Sequence, residues 1–579
     1  MTGMAGKRQV GWGAALALSV PLAVLAAGCT PARSAPASSD ATASPSGAAA
    51  GTGTGLPGPV PAPAATPIRL SAPLPLVPQP SQVTALSGGG YVLGPATVLR
   101  PEGGAAAASV ARDLVALLRT STGLALQVLP EQSAPAAFLG LPTPSPLPSG
   151  AVAGPGITVR LDPSDSAAGP EGYSLASGPG GVVITAQTGA GLFHGVQTLR
   201  QLLPVRGTGT VPAVRISDRP RYAFRSGELD VARHFFPVAA VEQYIDLLAQ
   251  YKFNYLHLHL TDDQGWRIAI TGRPALTGVG AETEVGGGAG GFYTAAQYRQ
   301  IVAYAAERYI TVIPEIDMPG HSNAALTAYP GLDCSDDGRP EPYTGRGGAL
   351  DHLCTSQQST YDFVDQVVGA LASMTPGPYI DIGGDEAVNV APDAYAAFMA
   401  RAARIVRAHG KQPMAWEDAA ASSSAPLALL GAWHPVSQLS STLRSQVAAA
   451  ARRGAGVVME PADHAYLDQK YNSSTRLGLH WTGYVDTRQA YDWDPADAQP
   501  GLPAGAVVGV EAALWTETLS TPQELQTMLL PRLPAIAEVG WTPQQDRDWS
   551  SFRQRLADQG SRWSAEHLAW TRTDDIPWP

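Results

Sequence analysis

From about Arg221 onward the chain repeats one pattern eight times: a short apolar run that ends in polar residues. The runs lie near 223–230, 253–260, 309–316, 378–384, 411–417, 428–434, 455–460 and 507–515. Continuous apolar runs of this length suit strands buried on both faces, and eight of them in succession predict an α/β fold of the (β/α)8 TIM-barrel type. Two intervening helices are plain. One places Val241, Tyr244, Ile245 and Leu248 on a single face; the other opens with the capping box Thr294-x-x-Gln297 and carries Tyr298, Ile301, Val302 and Ala305. The 461–506 connection reads as a long loop, and long barrel connections are usually functional.

The chain before the barrel differs in kind. Over residues 69–217, strand-like runs (Tyr91 to Leu99, Ile157 to Leu161, Gly181 to Ala186) alternate with two amphipathic helices. Val110, Leu114, Leu117 and Leu118 line the first, which stops at Gly123; Leu192, Val196, Leu199 and Leu203 line the second, which stops before Pro204. This predicts a small α+β domain without clustered acids or histidines, followed by a barrel domain over 218–579 that ends in a helix. Residues 30–68 are Ala, Pro, Ser, Gly and Thr with few large aliphatics, a composition expected to form a flexible tether.

Residues 1–29 have a basic start, an apolar run from Gly13 to Ala27 and the sequence Leu25-Ala26-Ala27-Gly28-Cys29, which reads as a secretory signal. Small residues directly before a cysteine resemble a bacterial lipobox, in which Cys29 is lipidated and becomes the mature N-terminus; Ala26 stands where Leu is usual, and an ordinary cleaved signal is the alternative. The expected location is therefore the cell surface as a lipoprotein, or otherwise the secreted fraction. No other segment is long and apolar enough to span a bilayer. Formal net charge is −11. Loss of a leader holding Lys7 and Arg8 but no acid takes this two charges further, to −13. Such a surface repels phosphate backbones and argues against a nucleic-acid partner.

Cys334 and Cys354 are the remaining cysteines. Export permits a disulfide between them, stabilising by about 3 kcal/mol in the chain-entropy model, with two free thiols as the alternative. A zinc site needs more ligands than these two supply.

The strand ends carry the chemistry. Ile380-Asp381-Ile382-Gly383-Gly384-Asp385-Glu386 sets two adjacent carboxylates after a Gly-Gly, at a barrel strand end where acids cost stability unless hydrogen-bonded or used. After the first strand come Arg225, Glu228, Asp230, Arg233 and His234; after the second, Asp262, Asp263 and Trp266; after the third, Glu315, Asp317 and His321. Later strands add Trp416, Trp433, Tyr466, Asp468, Trp515 and Glu517. Acids with tryptophans suit a sugar site, because aromatic faces cover a pyranose, carboxylates and Arg grip hydroxyls, and raised-pKa carboxyls move protons.

Seven ordered motifs make the resemblance specific: Tyr222-Ala-Phe-Arg-Ser, Leu229-Asp-Val-Ala-Arg-His-Phe-Phe, His257-Leu-His-Leu-Thr-Asp-Asp-Gln-Gly-Trp266, Pro314-Glu-Ile-Asp-Met-Pro-Gly-His321, Gly383-Gly-Asp-Glu386, Tyr466-Leu-Asp468 and Trp515-Thr-Glu517. Together they resemble glycoside hydrolase family 20, the bacterial β-N-acetylhexosaminidases, and the region with Gly172-Tyr-Ser-Leu175 resembles that family's N-terminal domain. The resemblance implies an exo-acting retaining enzyme on oligosaccharides with a terminal β-linked N-acetylhexosamine. Its nucleophile is the substrate's own acetamido oxygen, an exception to the two-carboxylate scheme. Carried over, Glu386 is the acid and base, Asp385 orients the acetamide, and Tyr466 donates to its oxygen. Trp416, Trp433 and Trp515 wall the pocket, Trp481 lies beside the aglycone, and Arg225, Asp468 and Glu517 hold hydroxyls. Asp262 and His321 tune the acid from behind. No cofactor is implied; a metal reading of Glu315, Asp317 and His321 rests on ligand type alone, and the resemblance explains them without one. One departure stands out, Asp381 where the family pattern usually has His. An acid there would raise the pKa of a nearby Glu386 or, if salt-bridged, stay silent. A lacto-N-biosidase-like relative and a surface lipoprotein that binds amino sugars without cleaving them are the alternatives.

Overall fold

A computed structural model describes residues 67–68, 72–130, 156–335, 338–349 and 351–579. The signal segment, Cys29 and most of the tether lie outside the described residues. Eight parallel strands close into a barrel: β1 (Phe224–Asp230), β2 (Tyr255–His259), β3 (Thr311–Glu315), β4 (Tyr379–Asp381), β5 (Gln412–Trp416), β6 (Leu429–Ala432), β7 (Gly456–Met459) and β8 (Val507–Ala512). Closure comes from β8 pairing with β1, Phe224 opposite Gly509 and Gly227 opposite Ala512. All eight strands fall within the apolar runs expected from the sequence. Helices Val238–Gln250 and Ala295–Ala306 bury the predicted faces, and the Thr294–Gln297 capping box is formed.

The barrel interior is layered. At its base Phe224, Tyr255 and Tyr379 meet from β1, β2 and β4, with the Phe224 and Tyr255 rings stacked at 4.3 Å. Strands that are not neighbours can share such contacts only across the barrel interior, and Ile313, Met414, Leu429 and Val458 complete this apolar plug. Above it lies a layer of buried ionisable groups. At the top a separate aromatic cluster of Trp416, Tyr466 and Trp515 faces the C-terminal mouth, with Trp433 against it.

The small domain is an eight-stranded mixed sheet on which helices Ala105–Thr122 and Gly189–Leu202 pack; Gly123 ends the first in the left-handed conformation. Two expectations need correction. The 91–99 run is two strands, Tyr91–Val92 and Val98–Glu102, because Gly94-Pro95-Ala96-Thr97 turns with Thr97 N–H donating to Gly94 O at 2.9 Å. Pro67 and Ile68, placed in the tether, form a short strand against Leu86 and Ala85. A sheet edge needs only backbone pairing, so tether-like composition does not forbid it. Cys334 and Cys354 are joined as a disulfide, and among the described residues no helix is long and apolar enough to cross a membrane.

Ion pairs lock the small domain under the barrel base. Arg225, 1% exposed, lies at the start of β1 and donates to both Glu171 carboxylate oxygens, at 2.7 and 3.1 Å, and to the carbonyls of Tyr222 and Lys252. Beside it the Lys252 ammonium, the Tyr173 hydroxyl and Trp541 Nε1 all donate to Asp218. Removing one partner of a buried pair strands the other charge and costs about 3–5 kcal/mol. Glu171→Ala should therefore lower stability by about 3 kcal/mol in a denaturant titration; an unchanged midpoint would show that the Arg225 pair does not hold the domains.

Candidate active site

The backbone leaving β4 is shaped by its glycines. Gly383 and Gly384 have φ of +62° and +105°, and a Cβ on Gly383 would fall 1.8 Å from Asp317 Oδ1. That oxygen accepts the Gly384 N–H at 2.9 Å, pinning the turn. Glu386 itself sits at φ +48°, an unfavourable region for a side-chain-bearing residue and of the kind that clusters at functional sites. The turn delivers the two acids to unequal depths: the Asp385 side chain is 17% exposed, that of Glu386 58%. His321 Nε2 lies 3.7 Å from a carboxylate oxygen of each.

Behind His321 the charges are chained. Its Nδ1 is 3.2 Å from Asp262 Oδ1, while Asp262 Oδ2 meets His259 Nε2 at 2.9 Å and Arg233 Nη2 at 2.8 Å. Burial alone would raise the Asp262 carboxyl, but Arg233, His321 and His259 outweigh it and hold it well below the usual range. Burial likewise disfavours a charged His321, yet Asp262 and Asp385 keep its imidazole well above its ordinary value. Glu386 is raised, by burial first and by Asp385 second, with His321 and Arg233 pulling the other way. An acid that keeps its proton toward neutral pH suits proton donation.

The aromatic cluster adjoins these acids. Trp416 and Trp515 lie 5.8 Å apart, Tyr466 and Trp515 6.0 Å. Trp416 Nε1 donates to Glu315 Oε1 at 2.9 Å and Trp433 Nε1 to Asp418 Oδ2 at 3.1 Å, so both indoles are fixed. Trp481, 47% exposed, meets Trp433 and Tyr466 edge-on at the rim. Burial, then Glu460 and Asp385, push the Tyr466 phenol well above its usual range, which leaves it a hydrogen-bond donor. Asp468 and Glu517 are neighbouring acids, each raised by burial; Asp468 Oδ1 and Glu517 Oε2 are buried without a hydrogen-bond partner.

Two expectations about site residues are corrected. Arg225 is not at the mouth: it occupies the N-terminal end of β1 and is consumed by Glu171. Arg233, eight residues on and past the end of the strand, is the arginine found at the mouth. Its guanidinium pairs with Asp230 and Asp262, lies 4.9 Å from the Trp515 ring and feels Glu517. Asp381 is not beside Glu386, whose shift is dominated by burial, Asp385, His321, Arg233 and Asp262. It is fully buried in the barrel's middle layer, where burial and then Glu315 push it up to about 8. Asp418 was not singled out from the sequence. It adjoins Asp385 and is pushed to about 7 by burial and that neighbour. Its signal was the Trp416-Glu417-Asp418 run, a second acid pair directly after a barrel strand.

An acid whose pKa is raised at one rim of an indole-lined pocket, with a guanidinium and carboxylates to grip hydroxyls at the other, suits cleavage of a glycosidic bond; fold and site together define a barrel glycosidase. Comparison narrows the class. The profile described as "Glycosyl hydrolase family 20, catalytic domain" matches residues 222–391 and 388–544, and "Glycosyl hydrolase family 20, domain 2" matches 74–219. A β-N-acetylhexosaminidase of Cellulomonas fimi is 45% identical over 426 residues, 73% of this chain and 84% of that protein. The Streptomyces plicatus N-acetyl-β-hexosaminidase in complex with Thio-NAglucal superposes with a TM-score of 0.81 at 45% identity, over 88% of this chain and 99% of that one. For the Vibrio harveyi exo β-N-acetylglucosaminidase bound to N-acetylglucosamine the TM-score is 0.73 at 26% identity, over 89% and 81%. The chain belongs to glycoside hydrolase family 20.

Since Asp385 raises the Glu386 pKa and His321 lowers it, removing either charge shifts the group in opposite directions. In Asp385→Asn the acid should lose its proton at lower pH, moving the alkaline limb of residual kcat/KM down; in His321→Asn the limb should move up. Limbs that stay in place in both variants would show that neither charge governs Glu386.

Proposed function

We infer that this chain is an exo-acting retaining β-N-acetylhexosaminidase that releases terminal GlcNAc or GalNAc from oligosaccharides by substrate-assisted catalysis. The observation that carries the reading is the unequal depth of two adjacent acids: Asp385 is sunk toward Tyr466 and Asp418, while Glu386 opens to solvent. Such a pair serves two different atoms of one sugar. Asp385 takes the acetamido N–H, and the Tyr466 hydroxyl donates to the acetamido oxygen. That oxygen attacks C1 as the glycosidic C–O bond breaks, and Glu386 gives its proton to the departing oxygen. Asp385 stabilises the positive charge of the oxazolinium ring so formed. Glu386, now a carboxylate, takes a proton from water as the water oxygen bonds to C1, and the ring reopens with net retention.

Trp416, Trp433 and Trp515 enclose the acetamide, and Trp481 at the rim stacks on the aglycone. Arg233, Asp468 and Glu517 bind the far hydroxyls and close the pocket beyond the terminal sugar, which is what makes the action exo. Asp262 acts through His321 on both acids. Losing Glu386 should cost about 10² to 10⁴ in rate on substrates with poor leaving groups. Glu386→Gln with full activity on such substrates would remove it as the acid. Among nitrophenyl β-GlcNAc, β-GalNAc, β-glucoside and lacto-N-bioside, turnover is expected of the first two alone: the glucoside lacks the 2-acetamido group, and the bioside carries a further sugar that the closed pocket excludes. A glucoside cleaved as fast as the GlcNAc substrate would refute acetamido participation.

We also propose that the enzyme is exported and anchored through a lipidated Cys29; the basic start, the apolar run and the small residues before the cysteine support this. Cys29→Ala should move activity from the membrane fraction to the medium, and unchanged membrane retention would reject the anchor.

A further inference from the structure

The middle layer of the barrel holds more ionisable groups than the catalytic reading uses. Glu228, Glu315, Asp381, Glu460, Glu511, His257 and His259 are all essentially inaccessible to solvent. With every carboxylate ionised and both imidazoles protonated, the layer would carry three uncompensated negative charges at a depth bulk solvent does not reach. Buried charge of this kind is kept only when paired or coordinated to a metal.

Part of the layer is fully occupied. His257 Nδ1 pairs with Glu511 Oε1 at 2.9 Å, Glu315 Oε2 accepts from His259 Nδ1 at 2.6 Å, Glu315 Oε1 accepts from Trp416 Nε1, and Asp381 Oδ1 accepts the Gly383 N–H at 2.7 Å. Other buried atoms make no aligned hydrogen bond: His257 Nε2, Asp381 Oδ2, Glu511 Oε2 and both oxygens of Glu460, although the Glu460 and Glu511 carboxyls are close enough to share a proton. His257 Nε2, Glu315 Oε2 and Asp381 Oδ2 lie within 4.8 Å of one another. From the nitrogen the oxygens are 3.2 and 3.6 Å away; the Glu315 contact is an ion pair, and the Asp381 contact is too long for a hydrogen bond. Ligands of a tetrahedral ion with bonds of about 2.0–2.2 Å stand about 3.3–3.6 Å apart, close to the 3.2 and 3.6 Å at which the two oxygens lie from His257 Nε2. The surroundings also fit. An imidazole that ligates through one nitrogen characteristically gives its other N–H to a carboxylate, as His257 does to Glu511.

We propose that His257 Nε2, Glu315 Oε2 and Asp381 Oδ2 bind a first-row divalent cation such as zinc. The site joins β2, β3 and β4 beneath the sugar pocket; a water or one of the adjoining Glu460 and Glu511 carboxylates completes the shell. Mixed imidazole and carboxylate donors suit zinc and its neighbours. The ion is structural, because its ligands are sealed from solvent and Trp416 lies between them and the substrate. By fixing Glu315 it also fixes the Trp416 indole, a wall of that pocket.

The test uses the full chain expressed in zinc- or cobalt-supplemented minimal medium and freed of loose metal by gel filtration. Elemental analysis should find close to one ion per chain, and the cobalt form should show the intense visible bands of a four-coordinate site. Asp381→Asn and Glu315→Gln should each lose the ion and those bands, while Glu386→Gln retains both. Wild-type Tm should exceed that of folded Asp381→Asn by several degrees, in line with a ligand bound only by the native state. Circular dichroism establishes folding for each variant. Folded wild-type protein without stoichiometric metal from either medium would overturn the proposal and leave protons as the neutralising species. Metal retained in both Asp381→Asn and Glu315→Gln would overturn it equally, since the ion would then sit elsewhere.

Discussion

The Asp262 carboxylate is the point on which the mouth of the barrel depends. Groups from three strand ends converge on it: Arg233 from beyond β1, His259 from β2 and His321 from beyond β3. A buried carboxylate is costly alone, but here each oxygen is taken up by a cationic or hydrogen-bonding partner, so the cluster is satisfied as a unit. Through His321 the same carboxylate reaches both acids after β4. The turn sets where Asp385 and Glu386 stand, while charges anchored beyond β1, β2 and β3 set the field in which Glu386 holds its proton.

This anchoring explains how adjacent residues acquire different work. Gly383 and Gly384 permit a turn that no side-chain-bearing residue would tolerate at the first position, and the turn sends Asp385 inward and Glu386 outward. The inner acid joins Tyr466 and the Trp433–Asp418 pair, where an amide can be held. The outer acid keeps solvent access, which it needs to protonate a leaving group and later to activate water.

Much of this was legible in the sequence, for a physical reason. Strands buried on both faces must be apolar throughout, so the eight runs announce themselves, and each polar residue at a run's end is a candidate for the mouth. What apolar runs do not encode is which end of a strand a polar residue occupies, or whether it faces the barrel interior. Arg225 and Arg233 both flank the first run, and only the start of β1 at Phe224 reveals that the former belongs to the base. Asp381 was read by its distance in sequence from Glu386, but a strand residue pointing inward is separated from the turn beyond it by the strand's own direction. Pro67 and Ile68 show the complementary failure, since edge pairing uses backbone groups that composition does not describe.

The buried middle layer constrains the chemistry above it in a further way. An apolar plug seals the base and an aromatic cluster seals the top, so charges between them are poorly screened and each fixes the protonation of the others. Asp381 accordingly acts on Glu315 and His257, its direct neighbours, and through Glu315 on the Trp416 indole, while the acid at Glu386 responds to Asp385 and His321. An interior substitution of this sort can change how firmly a pocket wall is held without moving the pH at which the catalytic proton is available. Wall rigidity and acid strength are separable properties in this barrel because they are carried by two layers of charge with Glu315 and His259 as the link between them.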